Sequence, residues 1–217
     1  MEQKKNQESF PIEIANAVTH GFGVLVGLSS LPLVTAIAMR SESVPAVVGA
    51  VIYGFSFLML FTFSMLYHAA TNPVVKHMFK VMDHISIYFL IAGTYTPFLL
   101  IYLLNALGIT LLSVLWSLAF IGIAFKIFSA GKFRFISTLV YVAMGWIFVV
   151  GGKKFFVEIP LPVLIMIGVG GLIYTLGAVV YVLKPGKYFH VIWHFMVLAA
   201  AICHYVAVLL AVLDSGY

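Results

Sequence analysis

Residues 85–128 read ISIYFLIAGTYTPFLLIYLLNALGITLLSVLWSLAFIGIAFKIF, with Lys126 as the single charged side chain. As one helix rising 1.5 Å per residue, the stretch would be roughly 65 Å long. A bilayer's hydrocarbon core is about 30 Å thick. The stretch must therefore cross a membrane twice, and the break falls at Asn105. The rest of the chain has the same character. It is 63% hydrophobic and 9% charged, with a mean hydropathy of +1.13. Soluble domains carry roughly 25% charged residues, and no single core of this size hides so much apolar surface. Lipid must act as the solvent, which restricts the architecture to helices or a closed barrel.

Outward from this stretch, seven apolar segments are long enough to span. They run about 15–39, 45–68, 79–103, 106–128, 134–151, 160–183 and 188–213. The breaks are Arg40-Ser41-Glu42, Thr71 to Lys80, Asn105, Ser129 to Arg134, Gly151 to Glu158, and Lys184-Pro185-Gly186-Lys187. The expected fold is an all-α integral membrane protein, a seven-transmembrane helix bundle forming a single domain over residues 1–217. The loops are too short for a second folded unit.

Charge sets the orientation. With the N-terminus in the cytoplasm, Lys4, Lys5, Lys76, Lys80, Lys126, Lys132, Arg134, Lys184 and Lys187 lie inside, and Arg40, Lys153 and Lys154 outside. The positive-inside rule favours this arrangement and puts the C-terminus outside. The net charge of +5 comes from scattered basic residues, not from a stripe that would bind nucleic acid. Cys203 stands alone, so no internal disulfide forms. The short polar start and the long apolar run after it read as a first span, not a cleaved signal.

Ionisable residues inside spans are costly and are functional candidates. Here they share one depth. Ser64 and His68 fall in the last turns of the second span, Asp83 about one turn into the third, and His190 and His194 one to two turns into the seventh. His190 and His194 are four apart and project from one helix face; Ser64 and His68 repeat that spacing. Three neutral imidazoles suit zinc and leave a fourth position for water, whose pKa zinc lowers toward about 7. Asp83 is then the candidate catalytic carboxylate that orients the water or takes its proton, and Ser64 a hydrogen-bonding partner. Without thiolates zinc is favoured, with other divalent metals, iron and nickel among them, as alternatives.

Each residue alone has a plainer reading. A membrane H-x-x-x-H pair can bond to neighbouring helices, His68 can sit at the interface, and Asp83 can cap a helix N-terminus. Their common depth is what joins them. Glu13, Asn16, Thr19 and His20 share one face of the first span, either approaching the site or stitching helices together. Stitching is the preferred expectation. His77 is expected in a loop. His84 points about 100° away from Asp83 and stays out of the ligand set. His204, ten residues past His194 and so roughly 15 Å deeper, can line a polar cavity but cannot touch the metal. Gly93-Thr94-Tyr95-Thr96-Pro97 reads as a small-residue packing surface followed by a kink.

The joint pattern resembles the hemolysin III family, the bacterial branch of the progestin and adiponectin receptor (PAQR) family. Its marks are Glu13-x-x-Asn16-x-x-Thr19-His20-Gly21, Ser64-x-x-x-His68, Asp83-His84, Ala92-Gly93-Thr94-Tyr95-Thr96-Pro97 and His190-x-x-x-His194 with His204 beyond. The resemblance covers nearly the whole chain. It implies seven helices with a cytoplasmic N-terminus, zinc on His68, His190 and His194, and Asp83 and Ser64 around the metal-bound water. It further implies kinship with ceramide-cleaving amidases and receptors, and a name drawn from haemolysis.

Three functions are then in play. The preferred one is a zinc hydrolase in the cell membrane, acting on a lipid amide or ester. The others are a non-enzymatic regulator of membrane state with a structural metal, and a pore-forming cytolysin. The expected partner is a membrane lipid or lipid-derived substrate, and no nucleic acid.

Overall fold

The computed structural model describes residues 2–129, 133–183, 186 and 188–216, with backbone alone for residues 2–9, 129 and 134. Lys132, Lys184 and Lys187, three of the charges used for orientation, lie outside the described residues. Helices follow in the order α1 (Glu2–Arg40), α2 (Val44–Ala69), α3 (Pro73–Tyr102), α4 (Ala106–Ser129) and α5 (Arg134–Gly145). A 3-10 turn (Ile147–Val149), α6 (Gly152–Glu158), α7 (Leu161–Leu183) and α8 (Phe189–Asp214) complete the chain. Among the described residues there is no strand.

Local chemistry explains the boundaries. Asn105, the weakest break in the sequence, accepts from the backbone N–H groups of Leu107 at 3.0 Å and Gly108 at 3.2 Å, satisfying donors that open α4. Asn72 caps α3 in the same way through Val74 and Val75, with Pro73 in its first turn. That cap starts α3 well before the expected residue 79. His77 is therefore helical rather than in a loop, though it remains exposed. α1 begins at Glu2, and its span-length apolar part runs Phe10–Arg40, where the sequence puts the first span at about 15–39.

Six helices are long and apolar enough to cross a membrane, and a shorter apolar one covers Phe135–Gly145. The structure therefore has six helices of spanning length and one apolar helix too short to count among them, where the sequence reads seven spans. The segment expected at 134–151 breaks at Gly145. Trp146 folds its N–H back to Val142 and Ala143, the 3-10 turn follows, and Gly152 at φ 58° turns the chain into α6. Glycine is the residue that adopts this conformation without strain. The expected loop from Gly151 to Glu158 is consequently a short helix. The Gly145 carbonyl, freed where the helix ends, is answered by the Tyr95 hydroxyl, and the Trp146 indole donates to Thr175 at 3.0 Å.

α2, α3 and α8 form the inner tier: half to two thirds of their apolar windows are buried, against 28% for α1, α4 and α7. The outer helices turn Val18, Phe22, Leu25, Phe120, Ile121, Leu172 and Leu176 outward, as a lipid-facing surface requires. α2 and α3 pack by backbone contact. A Cβ on Gly49 would stand 2.6 Å from the Pro97 Cα, and one on Gly93 would stand 2.4 Å from the Ser56 hydroxyl. Small residues allow this approach, the usual route to tight helix pairing in lipid. The close fit brings the ends of α2 and α3 that carry His68 and Asp83 alongside the start of α8.

Candidate metal centre

His68 ends α2, and His190 and His194 occupy the first two turns of α8. Their rings converge. His194 Nε2 lies 3.0 Å from His68 Nε2 and 3.0 Å from His190 Nε2, and all three ligand atoms fall within 4.8 Å of one another. Two imidazole nitrogens on one tetrahedral zinc, each about 2.0–2.1 Å from the ion, stand about 3.3 Å apart. His68 and His194 are buried and His190 is half-buried.

The opposite ring nitrogens fix how these imidazoles are turned. His68 Nδ1 lies 3.0 Å from the Glu13 carboxylate. A carboxylate only accepts, so Nδ1 carries the proton and Nε2 presents its lone pair. His194 Nδ1 lies 2.6 Å from His20 Nε2; donation in that direction leaves the His194 Nε2 lone pair facing the other two. The donor set therefore fits a divalent cation: neutral imidazoles with converging nitrogens, and a carboxylate–histidine contact of the kind that orients metal ligands.

The face of α1 expected mainly to stitch helices thus touches the histidines directly. Glu13 and His20 bond two of them, and the Asn16 amide approaches His68 Nδ1 at 3.5 Å. Thr19 does not join them; its hydroxyl bonds the Ala15 carbonyl of its own helix. Glu13 also accepts from Lys76 Nζ at 2.8 Å, and Lys76 reaches the carbonyls of Tyr67 and Ala70. The sequence contained no local sign of this clamp, because Glu13 and Lys76 are joined only by tertiary packing.

Ser64 lies one turn before His68, fully buried. It faces the carboxyl of Asp83 without a well-shaped hydrogen bond, so its hydroxyl is orphaned. An orphaned buried hydroxyl beside a carboxylate and three imidazoles suits a site that receives a polar ligand. Asp83 is within electrostatic reach of His68. His84 stays outside the cluster and donates Nδ1–H to the Lys80 carbonyl at 2.6 Å.

Asp83, His190 and His194 open into a cavity of about 270 Å³. Its walls come from α1, through His20, and from α2, α3, α4, α5, α7 and α8, and it extends to His204. His204 does not contact the triad; its Nε2 donates to the Ile167 carbonyl at 3.2 Å. A side chain at Gly170 would collide with that ring at 2.4 Å. Leu60, Ile87, Leu90, Ile91 and Val197 make much of the lining apolar. The arrangement thus joins three convergent imidazoles, a carboxylate and a hydroxyl to a largely apolar chamber.

Comparison with known proteins agrees with the pattern. A family model described as "Haemolysin-III related" matches residues 9–205. "Hemolysin-3" of Bacillus cereus is 40% identical over 204 residues, covering 94% of this chain and 93% of that protein. "Hemolysin-3 homolog" of Bacillus subtilis (strain 168) is 40% identical over 197 residues, covering 91% and 92%. The human "Monocyte to macrophage differentiation factor" is 29% identical over 212 residues, covering 89% and 82%.

Proposed function

The chain belongs to the haemolysin-III-related family of multi-pass membrane proteins, and from that premise we propose that it is a metal-dependent hydrolase of a lipid amide or ester. The observation that carries this reading is the meeting of three Nε2 atoms beside Asp83 at one end of a largely apolar chamber. We place seven crossings, with α5, the 3-10 turn and α6 together serving as the fifth. The N-terminus is then cytoplasmic and the C-terminus outside, as the distribution of Lys and Arg favours.

His68, His190 and His194 would hold the ion, zinc by preference given an all-imidazole set. When bound, such an ion acts as a Lewis acid and lowers the pKa of water toward about 7. Asp83 takes the proton of the attacking water on a carboxylate oxygen and returns it to the leaving group. Ser64 Oγ hydrogen-bonds the reacting oxygen. Glu13 holds His68 Nδ1–H and His20 holds His194 Nδ1–H, so both rings keep their lone pairs inward. The apolar chamber receives the acyl chain of a membrane lipid and excludes bulk water.

Purified protein should hydrolyse a labelled long-chain ceramide or phospholipid, and His194→Ala should abolish that turnover. Equal turnover in the two would end the proposal. Glu13→Gln removes the charge that orients His68 while keeping its size. Metal affinity should then fall about 10–100-fold, the usual cost of losing such an outer partner, as measured by titration against a metal buffer.

A second reading is that the ion only clamps helices, since the histidine cluster joins α1, α2 and α8. On that reading chelation lowers thermal stability while no lipid is turned over. The name of the Bacillus relatives points to lysis instead, which would appear as liposome leakage that survives loss of the histidines.

A further inference from the structure

The chamber has a second charged wall that the proposed hydrolysis does not use. Lys80 of α3 and Lys126 of α4 both line it, within electrostatic reach of one another. Lysines at membrane edges normally extend their ammonium groups to water. Lys126 is far more withdrawn, at 4% exposed. Among the described residues, the ion pairs are those of Glu13 with His68 and with Lys76, so neither chamber lysine is paired. Asp83 is the one carboxylate in the lining. His84, the other titratable group on this stretch of α3, donates Nδ1–H to the Lys80 carbonyl. A withdrawn lysine and an exposed one beside a candidate site for a divalent cation make this end of the chamber electropositive, and a charge drawn out of water calls for a counter-charge.

We propose that Lys80 and Lys126 form a subsite for an anionic group, a phosphate or carboxylate, on the ligand that enters this chamber. The identification of that ligand as a cleavable lipid rests on the proposed function; the anion subsite itself does not. Lys80 precedes Asp83 by three residues on α3, about one helical turn. The anion therefore sits at nearly the level of the reacting carbonyl, as in a lipid whose phosphate is a few bonds from its ester or amide. A neutral lipid lacking such a group leaves both lysines unanswered.

The test uses the purified full-length protein and three probes: a dialkyl-ether phosphatidic acid, the matching neutral dialkylglycerol, and inorganic phosphate. Binding is read by tryptophan fluorescence, as Trp146 and Trp193 both line the chamber. The ether phosphatidic acid should bind about tenfold or more tighter than the neutral lipid, the scale of one charge-assisted hydrogen bond. Lys126→Met and Lys80→Met should each reduce that preference; Lys80 is exposed, so its variant keeps the fold. Lys153→Met/Lys154→Met, on the exposed surface of α6, should leave it intact. Inorganic phosphate binding with the same lysine dependence identifies a free anion as sufficient, whereas binding by the lipid alone identifies a headgroup. Equal affinity for the two lipids, or a preference that survives Lys80→Met/Lys126→Met, overturns the proposal. Ether lipids are not hydrolysed, so this outcome is independent of whether ester or amide lipids are turned over.

Discussion

Alanine at His68, His190 or His194 is expected to strip the purified protein of a stoichiometric divalent metal. Each change leaves two imidazoles where three nitrogens now converge within 4.8 Å. Two ligands hold zinc far more weakly than the three of a catalytic site. Stability should follow, because an ion bound only by the folded state stabilises it by mass action, about 4 kcal/mol at a thousandfold excess over Kd. For a chain of this length that corresponds to a fall in Tm of about 10 °C. Elemental analysis beside thermal scans, with and without chelator, checks both. His204→Ala is the control: its ring bonds the Ile167 carbonyl away from the triad, so metal content should be unchanged. Full occupancy in the three alanine variants would remove the metal centre altogether.

Asp83→Asn should leave metal and fold in place and lower lipid turnover by about 10²–10⁴-fold, the usual contribution of a positioned acid–base group. The amide matches the carboxylate in size but does not accept a proton. The comparison is made on metal content, Tm and turnover together. Retained turnover would deny Asp83 its role as proton acceptor. Loss of metal along with turnover would instead make it a ligand.

Much of the molecule was legible from its residues, and the gaps have physical causes. Apolar length alone identifies the six long helices, because lipid tolerates few other solutions, and the cap at Asn105 was foreshadowed by the residue itself. The histidine cluster was legible because the i, i+4 pair on α8 and His68 on α2 fall at one depth once the spans are numbered. α5 misled. Its segment is apolar over the length of a span, but Gly145, Gly151 and Gly152 allow the helix to break, and hydropathy does not register that. α1 was underestimated for a different reason. Periodicity places Glu13, Asn16 and His20 on one face, but which neighbour that face meets depends on helix order around the bundle. Lys126 belongs with α1: a membrane-edge lysine and a chamber-lining lysine are the same letter until α3 and α5 are placed around it.

The salt bridge between Glu13 and Lys76 sits at the rim, with each side chain about one third open to water, at 33% and 30%. The same Glu13 oxygen also bonds His68 in the buried core. Linkage is reciprocal in free energy: whatever factor this pair lends to ion affinity, the bound ion returns to the pair. Ionic strength, which screens exposed charges over about 8–10 Å, should therefore alter ion affinity at the histidines through this rim pair, and an ion held there would draw the N-terminal helix toward the first turn of α3.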